Sequence, residues 1–161
     1  MVYRDVTDDE RARLHEWLEE SARLKRQIQV LFKELTAAFD STKDVAYLGI
    51  SFTESESDNI LLVKTPVTEG RLRSRIALLG EILANEIIVE RPEIDASGSI
   101  CWVAVWAFRN SAGRSIVYLQ EPGDALAYQP IAPYKEARTE VFERLGKSIA
   151  YALAAGPLEE A

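Results

Sequence analysis

The chain is poor in the residues that do chemistry most readily. It holds one cysteine, Cys101, and one histidine, His15. A lone cysteine excludes an internal disulfide and any cysteine-based zinc site, and it fits a reducing cytoplasm. A lone histidine excludes a two-histidine metal site. His15 lies beside Leu14 near the start of a helical pattern, the place of a solvated helix residue. The GxGxxG, Walker, GxSxG and HExxH patterns are all missing. Positive charge is also scarce: 19 Lys and Arg stand against 26 Asp and Glu, a net charge of −7. That balance argues against sequence-independent nucleic-acid binding, which needs basic faces for the phosphates. No apolar run approaches the ~20 residues of a membrane span. The longest, residues 100–108, reads as a strand. Met1-Val2-Tyr3-Arg4-Asp5 lacks the apolar stretch of a signal peptide. The expectation is a single cytoplasmic domain over 1–161, with no catalytic set, no cofactor and no metal.

What the sequence does contain is a long apolar heptad. Leu14, Ser21, Ile28 and Leu35 repeat at one position, and Trp17, Leu24, Leu31 and Ala38 at the other; seven of these eight are apolar. Thr7-Asp8-Asp9-Glu10 ahead of it is a capping-box pattern. Together they predict a helix over 8–39. At 1.5 Å per residue its 32 residues reach ~48 Å, against a radius of gyration of ~15 Å for a domain of this size. Extra apolar residues, Val30, Phe32 and Phe39, gather in the second half. Residues 27–39 are therefore expected to dock on the domain. Leu14, Trp17, Leu18 and Leu24 are expected to contact a protein partner or a second copy. The mixed arginines and glutamates between them suit a solvated or interhelical charge network rather than a membrane-binding face.

The rest reads as alternating elements. A strand is predicted over 45–53, with Ala46, Leu48, Ile50 and Phe52 on one face, followed by a polar hairpin tip at 54–58. A second strand over 59–65 stops at Pro66. Thr68 then reads as the N-cap of a helix over 69–85, with Leu72, Ile76, Leu79 and Leu83 at three- and four-residue spacing. Ile87-Ile88-Val89 opens a third strand, closed by Arg91-Pro92-Glu93. Residues 100–109 form the strongest strand, apolar on both faces and so expected to be covered on both sides; a hairpin turn and a partner strand over 114–120 follow. A last helix runs from Pro133 to Ala155, and residues 156–161 form a frayed tail.

The order is α-β-β-α-β-β-β-α: an α+β domain with an antiparallel sheet of about five strands covered by helices. This order is similar to that of profilin-like folds, among them the roadblock and longin adaptors and the GAF and PAS sensor domains. A small secretion-chaperone fold has a related order. The resemblance implies an adaptor, a chaperone or a sensor.

Three constellations could carry chemistry. Lys64, Arg71, Arg73 and Arg75 gather around the start of the helix at 69–85, where free N–H groups favour a small anionic ligand. On a helix, however, their two-residue spacing does not give one face. A salt-bridged helix start is the plainer reading. Trp102 and Trp106 alternate onto one face with Ile100, Ala104 and Phe108, as the lining of a ligand pocket or as ordinary core. Glu54, Glu56, Asp58 and Asp95 could hold a hard cation, or simply form polar loops. The leading expectation is a non-catalytic interaction module, an adaptor, chaperone or immunity-type binder, that forms a homodimer through its first helix. A small-ligand sensor and a metal-dependent carboxylate enzyme stand as alternatives.

Overall fold

Thr7 opens the first helix by reciprocal hydrogen bonds. Its hydroxyl accepts from the Glu10 N–H at 3.3 Å, and the Glu10 carboxylate accepts from the Thr7 N–H at 2.9 Å. Arg4 reaches the same carboxylate with both terminal nitrogens, at 2.6 and 3.0 Å. This guanidinium, followed by the Thr7 N–H, holds the Glu10 carboxyl down at about 2. The computed structural model describes residues 4–40, 44–79, 82–111, 117–119 and 135–156. In it, α1 runs Asp8–Ala38 with Phe39 as its C-cap, as the capping box and heptad predict.

Among the described residues six strands follow one another in chain order as an antiparallel meander: β1 (Ser51–Glu54), β2 (Ile60–Lys64), β3 (Glu69–Leu79), β4 (Ile82–Ile94), β5 (Ile100–Ser111) and the three-residue β6 (Val117–Leu119). A final helix, α2, spans Lys135–Ala155 and stops before Gly156. The chain is thus α+β, with a long N-terminal helix and an antiparallel sheet. The expected tail at 157–161, the turn at 112–116 and the start of the last helix at 133–134 lie outside the described residues.

Three local expectations are corrected. The first strand begins late, because Asp44–Leu48 forms a 3-10 turn. Gly49 ends that turn at φ 66°, a conformation that suits glycine, with its N–H donating to the Ala46 carbonyl at 3.1 Å. The helix expected over 69–85 is instead the β3–β4 hairpin. Its three- and four-residue apolar spacing coexists with a two-residue alternation, Gly70, Leu72, Ser74 and Ile76 against Arg71, Arg73 and Arg75. A sheet can bury the first set and expose the second. With that helix goes the likeness in element order to the profilin-like folds. Finally, Pro92 does not close its strand. Pairing of β3 with β4 ends at Arg71↔Glu90, so from there on β4 is bonded only to β5 and tolerates a proline as an edge strand does.

Both helices lie on one face of the sheet. The core joins Ile28, Leu31, Phe32 and Leu35 of α1 and Leu145, Ile149 and Leu153 of α2 to Phe52, Leu61, Leu72, Ile87, Val89 and Phe108. Cross-strand partners Leu61↔Leu72, Leu72↔Val89 and Ile87↔Phe108 place these strand residues on the same side. The expectation that β5 is covered by helices on both sides is therefore corrected: among the described residues no helix lies on the opposite face. Gly70 sets how closely α2 approaches. A Cβ there would meet the Leu153 side chain and stand 2.7 Å from the Glu90 carbonyl oxygen. Gly70→Ala should thus destabilise the chain by about 1–3 kcal/mol, the usual cost of overpacking. Urea denaturation with an unchanged midpoint would refute this account of the α2–sheet contact.

Candidate functional site

α1 divides at Leu24. From there to Phe39 the stripe Leu24, Ile28, Leu31, Leu35, Ala38 is buried. Before it the same stripe emerges: Leu14 is 49% exposed, Leu18 is 58% exposed, and Trp17 is half-buried. Leu24 was expected on the partner surface. The structure moves it to the core, fully buried, and its carbonyl accepts from Asn85 Nδ2 at 2.9 Å. The other three stay together on one side of the helix, at the three- and four-residue spacing that makes neighbours.

The sheet face turned away from the helices carries a different surface. Because β3 is a strand, the two-residue spacing of Arg71, Arg73 and Arg75 puts all three on that face. Register brings them opposite acidic residues of β4, Arg71↔Glu90 and Arg75↔Glu86, and brings Arg109 of β5 opposite Glu86. Glu90 accepts from Arg71 Nε at 3.1 Å and Arg73 Nε at 2.9 Å. Glu86 accepts from Arg75 Nη2 at 2.6 Å and Arg109 Nε at 3.2 Å. Two buried carboxylates are thus shared among four partly exposed guanidiniums. The anion site expected at a helix start is corrected accordingly: no helix begins there, and the three arginines instead share Glu86 and Glu90 with Arg109 in a ladder across the strands. Lys64 is exposed on β2, opposite Glu69.

The two tryptophans part company at a β-bulge. Pairing shifts between Val89 and Glu90, so Trp106 opposes Val89 while Ala104 opposes Glu90, and Val105 is the extra residue. The alternation inverts there. Trp106 packs towards the core, its ring centroid 5.7 Å from that of Phe108. Trp102 lies on the open face, with the Arg71 guanidinium 4.2 Å above its ring. The shared aromatic pocket expected from their spacing is corrected: they line opposite faces. Strict alternation misses such a bulge, because one inserted residue reverses every face beyond it.

The candidate cation ligands are also accounted for locally. Asp95 Oδ1 accepts from the Ser97 hydroxyl at 2.6 Å and the Ser97 and Ser99 N–H groups at 2.9 and 3.0 Å, closing its own turn. These bonds, the Ser97 hydroxyl first, lower its pKa. Glu54, Glu56 and Asp58 are exposed around the β1–β2 turn. Among the described residues no three His, Cys, Asp or Glu side chains are placed to hold a metal ion, and no helix is long and apolar enough to cross a membrane. In comparisons with known proteins, the chain matches no family model, no curated protein and no solved structure.

The ladder has a pH consequence. Burial alone would raise the Glu86 pKa, but hydrogen bonds from Arg75 and Arg109 outweigh it and hold the carboxyl below its ordinary 4.5. A carboxyl lowered by folding stabilises fully above its unfolded pKa and loses that contribution as pH falls below it. Urea melts taken from about pH 6 to about pH 3 should therefore lose stability more steeply in the wild-type chain than in Glu86→Gln. Equal slopes would mean that the ladder does not couple folding to this proton.

Proposed function

We propose that the chain is a non-catalytic interaction module of the adaptor, chaperone or immunity-binder kind, acting in the cytoplasm and associating as a homodimer through the first half of α1. One observation carries this reading. A single unbroken helix buries its apolar stripe from Leu24 onwards and leaves the same stripe exposed at Leu14 and Leu18, with Trp17 between them. α1 contains no proline or glycine that would let it bend back, so its exposed half is presented as a rigid rod. Burying a leucine or tryptophan side chain contributes about 1.5–3 kcal/mol, so three such residues on each of two helices suffice for a modest dimer.

Charge opposes this association. Residues 4–20 carry seven carboxylates and three arginines, a net charge of −4. Two such segments side by side repel, and salt screens the repulsion. Light scattering should show a dimer that tightens as salt is raised. Leu14→Asp combined with Trp17→Asp should halve the mass while leaving the circular dichroism spectrum unchanged. A wild-type chain that scatters as a monomer at every working concentration and salt would refute the proposal.

A further inference from the structure

β3 outruns the strand beside it. β2 pairs with it only from Glu69 to Arg73. The next residue, Ser74, is closed off by Asn59: the Ser74 N–H donates to the Asn59 carbonyl at 2.8 Å, and the Ser74 carbonyl accepts from Asn59 Nδ2 at 3.4 Å. From there β3 continues to Leu79, paired only with β4. Backbone groups along a strand point alternately to either side. Since Ser74 faces the line of β2, the N–H and C=O of Ile76 and Leu78 face that way too. Among the described residues no strand lies on that side of them.

An open groove of about 620 Å³ runs beside this edge. Lys25, Ile28 and Gln29 of α1 wall one side, Arg75 and Ile76 wall the other, and Asn59 closes one end. The exposed edge of Arg75–Leu79 measures ~17 Å at 3.4 Å per residue. Ile76 and the half-exposed Leu78 are turned to the helix side, where Ile28 also stands. The open face beside this edge is net positive: the guanidiniums of Arg71, Arg73, Arg75 and Arg109 share the two carboxylates of Glu86 and Glu90, and Arg75 stands at the edge itself. On the helix side Lys25, which forms no ion pair among the described residues, faces Asp58 across the groove.

We propose that this groove binds an extended segment of a partner protein, added as a strand along the outer edge of β3, in which apolar side chains alternate with acidic ones. Its backbone pairs with Ile76 and Leu78 in the line that β2 vacates. On the helix side its apolar side chains meet Ile76 and Leu78, and on the open face its acidic ones lie by Arg75. The site deepens the reading of the chain as an interaction module, yet it shares no residue with the exposed half of α1.

The probe is a heptapeptide of alternating valine and glutamate, added to the full chain and followed by amide exchange. Protection of the Ile76 and Leu78 amides should rise about tenfold or more. A strand offers only alternate amides to its neighbour, so N-methylating either the valine or the glutamate amides should abolish the effect, and methylating the other set should not. Lysine in place of glutamate should weaken binding about tenfold. Leu78→Pro removes one outward donor while leaving the β3–β4 ladder its bonds, and it should lose the peptide without losing the fold. The chain carrying Leu14→Asp and Trp17→Asp should bind as the wild type does, so the two readings fail separately. No protection at millimolar peptide, or equal binding of both N-methylated forms, would overturn the proposal. So would protection that appears without peptide and grows with protein concentration, which would assign the edge to a second copy.

Discussion

Everything in this fold answers to a core built on one side of its sheet. Both helices press on the face that carries Leu61, Leu72, Ile87 and Phe108, and the other face has to be made tolerable without them. It is made so by sharing. Glu86 and Glu90 are buried among side chains that belong to the sheet itself, and each is held by two guanidiniums. Two donors to each carboxylate offset the desolvation that one would not. Ile88, on this same face and opposite Arg73, is nearly inaccessible although among the described residues no helix lies over it.

The same core explains where α1 stops belonging to the domain. Towards Leu24 the helix-covered face of the sheet turns polar: Ser74, Asn85 and Asn110 replace the aliphatic residues further along. Asn85 and Asn110 are cross-strand neighbours, and Asn85 bonds the Leu24 carbonyl from beneath. That bond fixes the height and register of the helix at the margin of the core. Past it, among the described residues, the heptad emerges from the core, with Leu14 and Leu18 exposed and Trp17 half-buried. The sequence repeat is uniform, and the division of the helix comes from what lies under it.

How far the fold was legible follows the same logic. Thr7, Glu10 and the heptad carry local information, and local information sufficed for α1. Residues 69–85 satisfy two periodicities at once, and only the burial of Leu72 beside Leu61 and Val89 decides for the strand. The spacing of Arg71, Arg73 and Arg75 was the available sign. On a helix it scatters three charges, and on a strand it aligns them opposite Glu86 and Glu90. The bulge at Val105 left no sign of its own, since Cys101–Phe108 is apolar on both alternating sets, and the relation of Trp102 to Trp106 stayed unreadable for that reason. The exposed half of α1 was legible as an excess of length, though Leu24 was assigned to the wrong side of the boundary.

Net charge gives little warning of how charge is arranged. The chain totals −7, yet four arginines stand over two glutamates on the open face while residues 4–20 hold seven carboxylates against three arginines. The molecule is therefore polarised between its sheet and the tip of its helix. A balance of −7 speaks to solubility and to long-range repulsion between copies, whereas a partner meets only the patch it touches. At the helix tip that patch is apolar and flanked by acids; at the β3 edge it is open backbone with a basic rim. Surfaces so unlike favour different chemistries, so the two proposed occupants would not compete for the same residues.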